Sequence, residues 1–222
     1  MPRARRIIKA NYVYHVLNRA NGRLRIFKKE ADFEAFKNIL AEAVERFKIR
    51  LTGFCIMGNH WHLLLWPNAD GQVSDFMKWL TVTHTQRWHG AHGTYGMGHI
   101  YQGRFKSFPI DRDEHYLSVL RYIESNPLRA GIVDKSQDWQ WSSLTIRNSG
   151  KDDVFLNDGP VEIPDNWNKL VNIIQNQNEQ SAINKSFKRG CPFGRDKWIY
   201  NTASELKLES TLKPIGRPKK NG

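Results

Sequence analysis

Gly58-Asn59-His60-Trp61-His62-Leu63-Leu64-Leu65-Trp66 is the stretch on which the reading of this chain turns. It has the composition of a β-strand entered through a tight turn. Side chains on a strand alternate between faces, so His60, His62 and Leu64 lie on one side of a sheet and Trp61, Leu63 and Leu65 on the other. The second set is the core face. Two imidazoles on one face at this spacing can hold one metal ion between them. Histidines also serve as packed or surface residues at strand ends, and such short matches arise by chance. A metal centre therefore needs a third ligand or a nucleophile from elsewhere.

Working outward, residues 51–57 form a second apolar strand joined to the histidine strand by the turn Met57–His60, which makes an antiparallel hairpin. Residues 10–19 are β-branched and aromatic and read as an earlier strand, closed by the Asn21-Gly22 turn. Between them, residues 29–47 carry Phe33, Phe36, Ile39, Leu40, Ala43, Val44 and Phe47 at helical spacing. Residues 74–88 form a second helix with Phe76, Trp79, Leu80 and Thr83 on one stripe. Residues 89–98 are rich in Gly and His without periodicity and read as a solvated, mobile loop over a site. His89, His92 and His99 cluster there, but no cysteine accompanies them and the spacing fits no structural zinc pattern. Residues 100–110 read as a further strand with Arg104 and Lys106 on one face.

The order strand, helix, hairpin, helix, strand predicts an α+β fold of ferredoxin-like (RRM-like) type, an antiparallel sheet with helices on one face. The face bearing His60 and His62 is expected to stay open for ligand. A third helix follows over residues 113–125, with Asp113 as N-cap. Tyr116, Leu117, Leu120 and Ile123 make its apolar stripe, while Tyr122 falls opposite, with His115, Val119 and Asn126. Pro127 disfavours helical geometry at Asn126, so the helix ends or bends there. Tyr122 is one turn before that break and can be aimed into a cleft; an exposed tyrosine beside a C-terminal Asn cap fits the same pattern.

Residues 139–143 read as a closing segment. Beyond about residue 150 the composition becomes polar and Asn/Gln-rich, with short helices near 167–174 and 198–208, and the end is basic and reads as disordered. The chain carries 34 basic and 22 acidic residues, a net charge of +12, which favours a polyanionic partner such as nucleic acid. Arg3, Arg5, Arg6 and Lys9 form a basic arm at one end. Arg217 and Lys219, in a Gly-Arg-Pro context, form a phosphate-binding tail at the other. Cys55 and Cys191 are far apart and belong to no pair motif, so no disulfide framework is expected. No apolar run reaches the ~20 residues that span a bilayer, and the basic N-terminus lacks the apolar core of a secretory signal. The expected place is the cytoplasm, at the nucleoid, with no membrane partner.

His60-Trp61-His62 followed by a helix bearing Arg121-Tyr122-Ile123-Glu124-Ser125-Asn126-Pro127-Leu128-Arg129-Ala130-Gly131 resembles the single-tyrosine HUH transposases of the IS200-like insertion sequences, and within them the REP-associated tyrosine transposases. Tyr14 to Arg23, Tyr101-Gln102-Gly103-Arg104-Phe105-Lys106 and Trp141-Ser142-Ser143 add to the resemblance, which covers about residues 8–145. It implies a transposase domain over residues 1–148 and a C-terminal extension, α-helical or partly disordered, over residues 149–222. It further implies that the third helix is catalytic, with Tyr122 as nucleophile. His60 and His62 become metal ligands, and Asn126 stands where relatives often carry a Gln ligand that is one methylene longer. The implied cofactor is Mg²⁺ or Mn²⁺, and the implied chemistry is nicking and joining of single-stranded DNA through a 5′-phosphotyrosine link. The substrate is a hairpin or imperfect palindrome, and the working unit is a monomer or homodimer. Arg104, Lys106 and Arg129 become candidates for holding phosphates. A non-catalytic nucleic-acid-binding module of the same fold is the alternative. A two-tyrosine initiator is disfavoured because Tyr116 and Tyr122 lie on different helix faces, and a zinc hydrolase lacks an H-E-x-x-H base.

Overall fold

The computed structural model describes residues 6–150 and 155–214. Four strands, β1 (Val13–Arg19), β2 (Arg50–Met57), β3 (His60–Trp66) and β4 (Lys106–Ile110), pair in the order β2-β3-β1-β4, every neighbour antiparallel. The β2–β3 hairpin closes at Met57 opposite His60 around Gly58 and Asn59. Helix α1 (Glu30–Phe47) connects β1 to β2, and α2 (Gln72–His92) connects β3 to β4, which is the expected β-α-β-β-α-β order. Register places Leu17 opposite His62 and Arg19 opposite His60, so one face of the sheet carries His15, Leu17 and Arg19 beside the β3 histidines. Lys106 and Phe108 of β4 extend that face, being opposite Leu17 and His15.

The other face meets α1 and α2. Phe36, Ile39 and Leu40 of α1 and Phe76 and Leu80 of α2 are buried against Trp61, Leu63 and Leu65, as the alternation requires. A polar triad sits inside this layer. The Trp61 Nε1–H donates to the Tyr101 hydroxyl (3.0 Å), and that hydroxyl shares a hydrogen bond with Nδ1 of His84 (2.6 Å). Burial lowers the His84 pKa to about 3, so its ring is neutral. Tyr101→Phe removes the shared oxygen and leaves both buried partners unsatisfied. The variant is expected to lose about 1–3 kcal/mol of stability in urea titrations.

Several expectations are corrected. The histidine face is not open. Helix α3 (Glu114–Glu124) lies across it, followed by α4 (Asn126–Arg129) and α5 (Ser143–Ser149), and α6 (Trp167–Asn172) and α7 (Gln177–Arg189) close over the same side. Trp167, Val171 and Ile183 join Leu64, Phe108, Tyr116, Leu120 and Ile123 in a second apolar cluster. Val119, placed by periodicity on the polar side of α3, is also fully buried, because the C-terminal helices supply apolar surface there. The fourth strand starts at Lys106, and only an isolated bridge between Tyr101 and Ala20 precedes it. His89 is not solvated: α2 runs on to His92, and the buried His89 ring contacts Thr94 Oγ1 and the Gly98 carbonyl, pinning the loop. Helices α8 (Asp196–Glu205) and α9 (Glu209–Leu212) follow; of the basic tail read as disordered, Lys213 is held through its carbonyl by Arg189, and the residues from 215 on lie outside the described ones. Among the described residues no helix is long and apolar enough to cross a membrane.

Candidate active site

Strand β3 points His60 and His62 to the same side, with ring centroids 5.1 Å apart. Each ring is held through Nδ1. His62 Nδ1 lies 2.8 Å from Nε2 of His15 on β1, the two ring planes within 6° of parallel. His60 Nδ1 lies 2.6 Å from Asn59 Oδ1, a pure acceptor, so the proton of His60 sits on Nδ1 and its Nε2 lone pair is free for a ligand. With Nδ1–H of His62 donating to His15, the Nε2 lone pair of His62 faces outward in the same way. The proton of His15 then resides on its own Nδ1, which is buried without a partner. All three rings are neutral near pH 7. Burial, with lesser repulsion from Arg19 and Arg129, lowers the His60 pKa to about 4. Burial also lowers His15 to about 3. His62 is held well below its ordinary value by burial first, then by His15, His60, Arg129 and Arg19.

Helix α3 brings the second half. Its axis runs close to β2 because Gly53, at a register shift in that strand, has no side chain; a Cβ there would lie 2.5 Å from Leu120 Cδ1. The helix stops at Ser125 (φ −84°, ψ 0°), and the Pro127 turn α4 follows, as the proline predicted. At this break Asn126 Nδ2 lies 2.7 Å from His62 Nε2, and the Tyr122 ring stands edge-on to the His62 ring at 6.3 Å. Arg129 closes the corner. Its Nη1 donates to the Tyr122 carbonyl (2.6 Å) and to Ser125 Oγ (2.9 Å), and its guanidinium sits 3.9 Å from the Tyr122 ring centroid.

Two features were missed from sequence. Glu124 is fully buried and accepts from Ser143 Oγ, from Trp167 Nε1 (2.7 Å) and from Arg147 Nε (3.4 Å), so the last turn of α3 is tied to both α5 and α6. A buried carboxylate with donors on three residues is firmly placed, and with it the tyrosine two positions earlier. The second is α7, which covers the site. The Tyr122 hydroxyl donates to Asn184 Oδ1 (3.1 Å), the Phe187 ring lies 6.4 Å from His15, and Lys106 Nζ sits 4.6 Å above Phe187. A signal for α7 exists in the Asn176–Glu179 capping box and in Ile183 and Phe187 four residues apart.

The structure thus gathers His60, His62, Tyr122, Asn126 and Arg129 in one place. Lys106 lies on the same sheet face, and Arg104 is exposed just before β4. Arg6 lies over the Phe105 ring at 4.3 Å and donates to its carbonyl. Arg3, Arg5, Arg217 and Lys219 fall outside the described residues. The donor set fits a divalent ion: two neutral imidazoles present Nε2, and a turn of the Asn126 amide puts an oxygen beside them. Among the described residues one further cluster has metal-ligating groups, Asp113, Glu114 and His115. It is accounted for as the capped start of α3, where Asp113 accepts from the backbone and ring of His115 and pairs with Arg195.

Residues 8–126 match the family model described as IS200-like transposase. A curated protein of Haemophilus influenzae named as a REP-associated tyrosine transposase is 26% identical over 117 residues, which are 49% of this chain and 66% of that protein. Among solved structures, a REP-associated tyrosine transposase bound to a REP hairpin superposes with a TM-score of 0.55 at 19% identity, covering 73% of this chain and 94% of the other. A Deinococcus radiodurans R1 protein described as a transposase gives a TM-score of 0.40 at 20% identity over 56% of this chain and 96% of its own.

Proposed function

The chain belongs to the IS200-like transposase family, and from that premise we propose that it cuts and rejoins single-stranded DNA at a folded hairpin through a covalent bond to Tyr122. One observation carries this reading: the tyrosine at the broken end of α3 sets its ring edge-on to His62, 6.3 Å between centroids, with Asn126 against the same histidine at 2.7 Å. A merely structural tyrosine has no need of that neighbourhood.

In the proposed reaction the Tyr122 oxygen attacks phosphorus and the bond from phosphorus to the 3′-oxygen breaks. The phenol proton passes to solvent, and the leaving oxygen takes one up. The products are a 5′-phosphotyrosine and a free 3′-hydroxyl. Attack of a 3′-hydroxyl on that link restores a phosphodiester, so no nucleotide triphosphate is needed. His60, His62 and Asn126 are the residues that would hold Mg²⁺ or Mn²⁺. When bound, such an ion supplies positive charge to the non-bridging phosphate oxygen and the leaving oxygen. Arg129 orients the phenol from above its ring and adds charge beside it. Arg104 and Lys106 stand where flanking phosphates would pass, and Arg3, Arg5, Arg6, Arg217 and Lys219 add sequence-independent attraction to the backbone.

The relative solved with a REP hairpin supports a hairpin as the DNA partner. We assign residues 1–148 to the catalytic unit and residues 149–222 to an extension that seats α3 and covers the site. The test is mass spectrometry of the product formed from a DNA hairpin with single-stranded flanks and Mn²⁺. Tyr122 should carry the 5′-phosphate; a link at any other residue, or no link, removes the proposal.

Helix α7 must give way before a phosphate reaches the phenol. Asn184→Ala removes the acceptor that holds the hydroxyl, and a hydrogen bond of this kind is worth about 0.5–1.5 kcal/mol. Single-turnover adduct formation is expected to accelerate about 2–10-fold.

A further inference from the structure

Helix α7 does more than cover the histidines. Its residues Ser181, Asn184, Lys185 and Lys188 recur at three- and four-residue spacing and so form one stripe. That stripe walls a cavity of about 470 Å³, which Leu212, Lys213 and Pro214 complete. Arg189 fixes the two walls against each other. Its guanidinium donates to the carbonyls of Thr211 and Ser210 (3.1 Å each) and of Lys213.

The charge of this cavity has one sign. Lys185, Lys188, Arg189 and Lys213 all line it, and no carboxylate stands among its lining residues. Among the described residues none of the four is paired with an acid. Lys185 and Lys188 are exposed and three positions apart, so their charges repel across one turn. A bound anion removes that repulsion. Ser181 and Asn184 add neutral donors, and Leu212 and Pro214 add apolar surface. Ammonium groups, a hydroxyl and an amide around such a chamber suit a phosphate group, with room for what it is attached to.

Asn184 ties the cavity to the tyrosine. Its Oδ1 accepts from the Tyr122 hydroxyl at 3.1 Å, and its Nδ2 has no acceptor among the described residues. Nδ2 is therefore the group this side chain can offer to an occupant. We propose that the cavity is a phosphate-binding site, held by Lys185, Lys188 and Asn184, whose occupant shares the Asn184 amide with Tyr122. An oxyanion on Nδ2 fixes the amide and polarises its carbonyl, so Oδ1 holds the phenol more firmly. Binding couplings are reciprocal, so the hydroxyl in turn aids the phosphate. The consequence for DNA rests on the strand-cutting reading above; the site itself does not.

Calorimetry of the full chain with pyrophosphate, in metal-free buffer, reads the site without any DNA. Lys185→Gln combined with Lys188→Gln, both at exposed positions, should bind about 10-fold more weakly than wild type. Asn184→Asp keeps an acceptor for Tyr122 but sets a negative charge in the wall, and it should lose as much. Tyr122→Phe should lose about 2–5-fold, the share that passes through the amide. No binding at about 1 mM pyrophosphate, or equal affinity in wild type and the double variant, would overturn the site. Unchanged affinity in Tyr122→Phe would overturn the shared amide, and an equally tight tri-glutamate peptide would overturn the choice of phosphate. A single-stranded oligonucleotide separates two sources of the group. If the double variant binds it more weakly and pyrophosphate displaces it, the phosphate is one of the DNA backbone. If the double variant binds it unchanged, the ligand is a free phosphate compound. Pyrophosphate binding with the expected losses, but no adduct from any hairpin, keeps the site and removes the strand-cutting. Adducts without pyrophosphate binding do the reverse.

Discussion

Tyr122→Phe is expected to eliminate the covalent protein–DNA product while leaving hairpin affinity unchanged. The substitution deletes one oxygen. Its hydrogen bond to Asn184 is lost, but the ring keeps its edge-on contact with His62 and its place beneath the Arg129 guanidinium. Stability should therefore move by no more than about 1 kcal/mol. Removing an attacking atom leaves no route to the intermediate, and losses on the order of 10³-fold or more follow when a nucleophile is deleted. Denaturing gels with labelled hairpins read the adduct, and anisotropy reads binding. Adduct formation by the Phe variant would assign the chemistry elsewhere. Equal loss of binding and adduct would mean that the hydroxyl serves recognition, as the non-catalytic alternative requires.

The second large effect concerns the histidines. His62→Ala removes a candidate ligand and the partner of both His15 and Asn126 at once. His15→Phe leaves the ligand in place and removes only the group that orients it. Losing an outer partner of this kind costs about 10–100-fold in metal affinity, and losing the ligand itself costs more. Manganese titration by calorimetry should therefore rank wild type above His15→Phe and His15→Phe above His62→Ala. Adduct formation should follow the same order and recover in His15→Phe at high manganese. If the two variants bind manganese as wild type does, the ion, if one is used, is held elsewhere. If they bind manganese alike but below wild type, His62 is no ligand, or His15 does more than orient it.

Much of this was readable in the chain, and the reasons are local. Strand alternation alone puts His60 and His62 together and Trp61 with the core, and the register confirms the split between faces. Pro127 marks the break after α3, because it lacks the N–H that would bond back to Ile123 and its ring crowds the preceding turn, so the chain restarts as the short turn α4. The rest depended on partners distant in sequence. A lone His15 in an apolar strand carries no mark of the ring it will meet 47 positions later. Glu124 looks like a solvated helix residue until Ser143 and Trp167 surround it. Helix α7 hides in an Asn/Gln-rich run where only Ile183 and Phe187 are large and apolar, so composition masks its amphipathic face. The expectation of an open sheet failed partly for that reason: α3 lies across the histidine face, and α7, which completes the cover, comes from the segment with the weakest signal.

The tie between Glu124 and Trp167 spans 43 residues, and that span has a bearing on timing. During translation the histidine hairpin and the tyrosine helix leave the ribosome well before the indole that completes the grip on the carboxylate. Until it arrives, the Tyr122 hydroxyl hangs from a helix whose final turn lacks one of its donors. The last turn of α3 therefore takes its final seat only after α6 has been made, so the order of synthesis runs opposite to the order in which this part of the molecule becomes firm.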